Sequence, residues 1–236
     1  MKKLVIIPAY NESENILSTV NDIRDNAPGF DYIVINDCST DNTLQICREH
    51  GIHCIKLPYN LGIGGAVQTG YLYGVRHGYE AAVQFDGDGQ HPAAYLKKMV
   101  EIMQEQQADM VIGSRFITKE GFQSSKMRRV GILFFTKLIR LMTGKTITDP
   151  TSGMRLVNRT VMKMFAADYP KDYPEPESLV RILADGKKVV EMPVVMKERA
   201  GGVSSISPVR SIYYMIKVTL AVLLARFSKY REGDIQ

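Results

Sequence analysis

Asp86 and Asp88 flank a single glycine in the stretch Phe85-Asp86-Gly87-Asp88-Gly89-Gln90-His91. The stretch closes the apolar run Ala81–Phe85, so both carboxylates fall in an irregular turn at a strand end and can converge on one hard cation. Mg²⁺ or Mn²⁺ takes oxygen ligands of this kind and bridges phosphate oxygens. A cation held there would neutralise the charge that grows on a departing nucleoside diphosphate. Turns favour Asp and Gly in any case, so the pair needs support from the rest of the chain. An EF-hand is excluded, because its other loop ligands and its closing Glu are missing.

Support comes from three further strand ends. Pro8-Ala9-Tyr10-Asn11-Glu12 follows the first apolar run, Asn36-Asp37-Cys38-Ser39-Thr40-Asp41-Asn42-Thr43 the second, and Asn60-Leu61-Gly62 the third. Asn11 and Asp41 would also serve as helix N-caps. The two readings are compatible, since a capped helix start presents amide groups to anions.

The elements that position these clusters alternate. Strands are expected at Leu4–Ile7, Tyr32–Ile35, Cys54–Leu57, Ala81–Phe85 and Met110–Ile112. Helices are expected at Glu12–Asn26, Asp41–His50, Gly65–Gly78 and Pro92–Gln107. This rhythm predicts an α/β fold with a mostly parallel sheet covered on both faces. Ligands of such sheets lie beyond the carboxyl ends of the strands, where the polar clusters fall. After Ser114 come an apolar helix, Val130–Met142, and a loop holding Asp149-Pro150-Thr151-Ser152-Gly153. A short strand at Met154–Val157 follows, then an acid- and proline-rich entry to a helix ending near Gly186, and a strand at Val189–Val195. Ala200–Ser207 is rich in Gly and Ser and reads as a mobile segment, and Ser211–Phe227 reads as a last apolar helix.

A chain of 236 residues suits one well-cored domain, expected over 1–206, with 207–236 as a helical extension. Met1-Lys2-Lys3 leads into too short an apolar run for a signal peptide. Cys38, Cys47 and Cys54 are odd in number and lack metal-ligand spacing, which fits reduced thiols in the cytoplasm. Between Arg115 and Lys145 eight basic residues face one acid, Glu120. Such a stretch is either a solvated face or a surface turned toward phosphates or an anionic membrane. Nucleic acid is not expected, for want of a binding module.

Taken in order, these stretches resemble glycosyltransferase family 2, of GT-A fold, and within it the dolichyl-phosphate mannosyltransferase and bacterial polyprenyl-phosphate glycosyltransferase branch. Gly113-Ser114-Arg115, Asp149-Pro150-Thr151-Ser152-Gly153-Met154-Arg155 and Arg199-Ala200-Gly201-Gly202-Val203-Ser204 complete the match, over about residues 4–205. The resemblance implies a nucleotide-diphosphate sugar donor, with Pro8, Tyr10, Glu12 and Asp37 lining the base and ribose pocket. It implies that Asp86 and Asp88 hold the metal and diphosphate, with Gln90 as a further metal ligand. Arg115 and Arg128 would face phosphate charge, and Arg199 the acceptor phosphate. Glu177 lies where the family has its acceptor-side helix. Asn36 departs from the family's usual Asp-Asp pair at the second strand end, which alters one nucleotide contact.

The resemblance further implies inversion at the anomeric carbon. A sugar hydroxyl acceptor needs a general base, for which Asp149 and Glu177 are the candidates. A lipid phosphate is already ionised and calls for arginines instead. The basic stretch favours the phosphate, as a polyprenyl or dolichyl phosphate or a lipid-linked glycan. A nucleotidyltransferase would place a Gly-rich, basic loop where Pro8–Glu12 stands. The Gly62-x-Gly64 of a dinucleotide fingerprint continues to Val67 rather than to a third glycine. An inactive scaffold would hardly keep Asp86, Asp88, Gln90 and Arg115 together. The last helix is too short and too interrupted, by Lys217, to span a membrane. It is expected to lie on the cytoplasmic membrane face, the alternatives being core docking or a homo-oligomer contact.

Overall fold

The computed structural model describes residues 1–118, 120–121, 126–197, 208–225 and 227, with the side chains of 126–128 and 208–214 outside that description. Its strands are β1 (Lys3–Ala9), β2 (Asp31–Asn36), β3 (Cys54–Lys56), β4 (Ala81–Gln84), β5 (Met110–Ser114), β6 (Arg155–Asn158) and β7 (Val189–Pro193). Its helices are α1 (Ile16–Asn26), α2 (Thr43–Glu49), α3 (Gly62–Arg76), α4 (Tyr95–Glu105), α5 (Lys126–Thr143), α6 (Arg159–Ala167), α7 (Pro174–Ala184) and α8 (Pro208–Ala225).

The strands form one sheet in the order β3-β2-β1-β4-β6-β5-β7. β1 pairs in parallel with β2 and β4, β2 with β3, and β5 with β7. Only β6 is reversed, antiparallel to both β4 and β5. That reversal decides the layout of the site. The parallel strands deliver their carboxyl ends to one edge, and β6 delivers its amino end there, so the loop 149–154 joins the loops after β1, β2, β4 and β5.

Both faces of the sheet are covered, as near-continuous apolar strands require. Leu4 and Ile6 of β1 point into a core shared with Tyr71, Phe135, Phe165, Leu179 and Val222. Val5 and Ile7 alternate to the other face, against Val20, Ile23, Leu96 and Met99. α3 approaches the 170–171 segment so closely that a Cβ at Gly64 would lie 2.0 Å from the Pro170 carbonyl oxygen. Any side chain there would push the helix start off that segment.

Several elements differ from expectation at their ends, and one was unforeseen. α1 starts at Ile16, not Glu12, because residues 12–15 form a turn in which the Asn15 amide N–H reaches the Glu12 carbonyl at 3.0 Å. Neither α1 nor α2 is capped by Asn11 or Asp41 as the N-cap residue; those positions are Asn15 and Asn42. α5 extends four residues further back than Val130. α6, whose Asn158 side chain caps the Val161 N–H at 3.0 Å, follows β6 directly. The Gly/Ser-rich stretch 200–207 lies outside the described residues.

Candidate active site

The carboxylate turn hangs from β4 and is braced from three sides. The Asp88 Oδ1 accepts from the Gln90 N–H at 3.1 Å, and Gly89 takes φ +74°, which closes the turn. Below it, buried His91 accepts the Asp86 N–H on Nδ1 at 3.1 Å, so Nε2 carries the ring proton and faces Asp86 Oδ2 at 3.6 Å. Burial pushes the His91 pKa down to about 4, which keeps the ring neutral in that role. Gly153 lies directly against the carboxylate: a Cβ there would sit 2.6 Å from Asp86 Oδ2. The Asp86 carboxyl itself is raised above its ordinary value, first by burial and further by Glu12. Gln84, Arg115 and Arg155 pull the other way.

Opposite this turn, at the end of β5, Arg115 is locked in a two-pronged pair with Asp149. Its Nε meets Oδ2 at 2.7 Å and its Nη2 meets Oδ1 at 2.8 Å, while its backbone N–H also reaches Oδ2. Asp149 is wholly buried and Arg115 keeps 15% of its side-chain surface. Burial alone would discourage the guanidinium charge, but the Asp149 carboxylate outweighs it and holds the pKa above its usual value. Glu191 of β7 grips the same loop from behind, accepting from the Thr148 N–H at 2.7 Å and the Asp149 N–H at 2.9 Å.

Arg155, at the reversed end of β6, is the largest fully buried side chain among the described residues. Its guanidinium donates to the carbonyls of Ser152 (2.7 Å), Pro150 (2.6 Å) and Glu175 (2.7 Å). It thereby ties the 149–154 loop to the start of α7. Because Arg155 pairs in register with Gln84, it also stands two residues from Asp86 along the neighbouring strand.

On the other flank, β1 and β2 end in loops that hold each other by side chain to backbone. The Asn11 N–H donates to Ser39 Oγ and the Thr40 N–H to Asn11 Oδ1; the Glu12 N–H reaches Thr43 Oγ1 at 2.9 Å. Asp37 is buried and accepts the Leu61 N–H at 2.7 Å. Burial raises its pKa, while the amides of Leu61 and Gly62 draw it back. Asn36 accepts from the Ser39 N–H, and its buried Nδ2 has no hydrogen-bond partner. Tyr10 stands half exposed at the rim, and Pro8 is buried in β1 below it.

The family model for glycosyl transferase family 2 matches residues 4–165. The chain belongs to that family. It is 30% identical to the undecaprenyl-phosphate mannosyltransferase of Micrococcus luteus, over 98% of either chain. It is also 30% identical to the polyprenol monophosphomannose synthase of Mycolicibacterium smegmatis, over 98% of this chain and 90% of that one. Among solved structures, glucosyl-3-phosphoglycerate synthase of Mycobacterium tuberculosis, in complex with Mn²⁺, UDP and glucosyl-3-phosphoglycerate, superposes with a TM-score of 0.68. That likeness holds at 19% identity over 95% of this chain and 79% of that one, and it bears on the fold. The expected GT-A architecture is the one observed.

In this glycosyltransferase Asp86, Asp88, Gln90, Arg115 and Asp149 gather at one sheet edge, and Pro8, Tyr10, Glu12 and Asp37 line the flank beside them. Glu177 goes elsewhere. It pairs with Arg181 at 2.8 Å and lines a cleft between the 168–173 segment and α8. Two residues earlier on α7, Glu175 takes the position near the carboxylate turn. It accepts from Gln84 Nε2 at 3.3 Å, and its charge adds to that of Asp86. Helix spacing explains the swap, since positions two apart on a helix face different sides. The Arg128 side chain and all of Arg199 lie outside the described residues. Arg155, Glu175 and Glu191 were not foreseen as site residues. Arg155 was in view as the last residue of the 149–155 stretch, but no sequence signal marks Glu191, which acts through a loop 42 residues earlier.

Proposed function

We propose that this glycosyltransferase moves a hexosyl group, with inversion, from a nucleoside diphosphate sugar to a polyprenyl or dolichyl phosphate. We propose further that it depends on Mg²⁺ or Mn²⁺ held by Asp86 and Asp88. The observation that carries this reading is the braced carboxylate pair facing an arginine whose partner carboxylate is fully committed. An acceptor oxygen bonds to the anomeric carbon while the bond to the nucleoside diphosphate breaks. Hydroxyl acceptors would need a base at that moment. Asp149, the nearer candidate, is buried with both oxygens bound by Arg115, which supports an acceptor that arrives ionised. The printed names of the two relatives above point the same way.

The donor atoms present suit a hard cation. Two carboxylates share one turn, and Gly153 leaves open the space beside Asp86 that a Cβ would fill. Gln90 spends its amide nitrogen on the Lys197 carbonyl at 3.4 Å, which leaves its Oε1 as the third candidate donor. Among the described residues no three His, Cys, Asp or Glu side chains cluster as a complete metal cage. Mg²⁺ and Mn²⁺ sites commonly take the balance from substrate phosphates and water. When bound, the cation would supply charge neutralisation for the leaving diphosphate. The chain's own contribution is to fix the surroundings. Asp149 and Glu191 aim Arg115 at phosphate charge, Asp37 and Glu12 line the nucleotide pocket with Pro8 and Tyr10, and neutral His91 holds the turn. Arg128 and Arg199 are assigned to phosphate on the sequence match alone.

The test uses labelled nucleotide sugars, with product counted in the organic phase with polyprenyl phosphate as acceptor. Asp86→Asn and Asp88→Asn should each lower transfer by orders of magnitude while the thermal midpoint holds. EDTA should do the same, and Mn²⁺ should restore activity. Full transfer in chelator overturns the cation assignment. Label recovered only in a water-soluble saccharide overturns the lipid phosphate in favour of a sugar hydroxyl. No turnover with any nucleotide sugar leaves the scaffold reading.

A further inference from the structure

We infer that Cys47 and Cys54 form a redox modification site, a dithiol that a hydroperoxide converts to a disulfide stapling α2 to β3. Strand register and helix periodicity bring the two residues together. Cys54 opens β3 in register with Val34 of β2. Parallel partners in register point to the same face of a sheet. Val34 faces the core cluster to which Cys47 belongs, and Cys54 packs against that cluster. On α2, Cys47 follows Thr43 by one turn, and these two are the helix's buried residues. Gly51 then takes φ +59°, and the Ile52 N–H returns to the Cys47 carbonyl at 2.8 Å. The chain thus doubles back and lays residue 54 beside residue 47. All three cysteines are free thiols in the structure, and those of Cys47 and Cys54 hydrogen-bond to each other.

The pair is asymmetric, which assigns the roles. Cys47 is wholly buried, whereas Cys54 is half-buried on the strand that ends the sheet. The hydrogen bond from Cys47 holds the Cys54 pKa below its ordinary value against burial, helped by the Asn36 amide and the Arg48 charge. The same contact, with burial, pushes Cys47 up. Cys54 is therefore the attacking thiolate and Cys47 the thiol that resolves it. The Cys54 sulfur attacks one peroxide oxygen and the O–O bond breaks. This leaves a sulfenic acid on Cys54 and releases the other oxygen as hydroxide or alkoxide, which water protonates. The Cys47 sulfur then attacks the Cys54 sulfur. The S–S bond forms, the S–O bond breaks, and the hydroxyl leaves with the Cys47 proton as water. Together the two sulfurs lose two electrons, and the peroxide gains them.

The bond would act where the sheet is weakest. β3 has three residues, stands last in the strand order and pairs with β2 alone. Closing the loop 47–54 restricts the unfolded chain and fixes that edge to α2. α2 in turn opens with Thr43, whose hydroxyl takes the Glu12 N–H at 2.9 Å. The staple therefore braces the β1–β2 flank from behind and leaves the carboxylate turn untouched.

The test reads thiol chemistry without any sugar donor, so it stands or falls apart from the transfer reaction. The full chain is reduced, exposed to stoichiometric hydrogen peroxide, and followed by intact mass and N-ethylmaleimide labelling. It should lose two hydrogens and two of its three labelling thiols, with Cys38 still labelled, and dithiothreitol should restore both. Digestion with trypsin and an Asp-specific protease should show the peptides 41–48 and 49–56 joined. The oxidised chain should melt about 5 °C above the reduced one. Cys47→Ala should strand Cys54 as a sulfenic acid that dimedone captures, whereas Cys54→Ala should leave Cys47 unmarked. Should either variant fail to fold, the parent's digest and melt decide alone. A parent that keeps all three thiols overturns the inference, as does a bond that runs to Cys38 or to a second chain. An oxidised midpoint no higher than the reduced one removes the staple. Dimedone on Cys47 in place of Cys54 overturns the assigned nucleophile.

Discussion

The site has two flanks that are held together by different means. After β1 and β2, short polar side chains bond backbone amides of the facing loop: Asn11 to the Thr40 N–H, Thr43 to the Glu12 N–H, Asp41 to the Ser13 N–H. Most of these groups reach solvent. After β5 and around β6 the fasteners are buried or half-buried charges: Asp149 on Arg115, Glu191 on the Thr148–Asp149 amides, Arg155 on three carbonyls. The physical consequence is a difference in sensitivity. A rim hydrogen bond can be replaced by water when it is lost, whereas breaking a buried ionic network leaves its partners unsatisfied.

Three substitutions probe that contrast. The largest effect is expected from Arg155→Met, which keeps the bulk and removes the donors to Pro150, Ser152 and Glu175. Orphaning the buried Pro150 and Ser152 carbonyls, while the Glu175 carbonyl keeps the Ser178 hydroxyl as donor, should cost about 2–6 kcal/mol, read from the urea midpoint at constant m-value. A loss below about 1 kcal/mol would mean that β6 is held by apolar packing instead. Glu191→Gln comes next. It halves the acceptor oxygens facing Thr148 and Asp149, so a loss of about 1.5–3 kcal/mol is expected, together with weaker donor binding as Arg115 loosens. An unchanged donor Kd would separate Glu191 from the positioning of Arg115.

The smallest effect belongs to the rim. Asp41 accepts from the Thr43 N–H at 3.0 Å and the Ser13 N–H at 3.0 Å. Burial works to raise its pKa, but these hydrogen bonds prevail and lower it. A depressed folded-state pKa means stability that is present above the ordinary value of 3.8 and lost as pH falls below it. Asp41→Ala should therefore cost about 1 kcal/mol at neutral pH, and the gap between variant and parent should narrow in acid. A gap that stays constant from pH 7 to below 3.8 would remove the ionised carboxylate from the account.

The same contrast explains what could be read in advance. On the β1–β4 side each polar cluster directly follows an apolar strand, and the parallel order brings successive strand ends to one edge. Asp37, Asp86 and Asp88 were legible there because local pattern and site geometry coincide. On the other side Arg115 and Asp149 are 34 residues apart and Thr148 and Glu191 43, and the choice between Glu175 and Glu177 depends on helix rotation rather than spacing. α6 escaped notice because the run after Asn158 is short and its apolar residues read equally well as the tail of the preceding strand.

By itself, the sequence determined the alternating α/β layout, the family and the carboxylate turn, since strand periodicity and turn chemistry act over a few residues. It also marked α8 as a helix that needs cover, because its apolar residues run almost all the way round. Only the tertiary structure decided that β6 runs backward. That reversal carries Asp149, Gly153 and Arg155 to the edge where Asp86 stands. It also decided that Asp149 holds an arginine instead of standing free, and that α5 presents leucines outward beside α8. These outcomes turn on strand direction, helix rotation and long-range pairing. They are settled by the packing of the whole core, and no local window of residues carries that information.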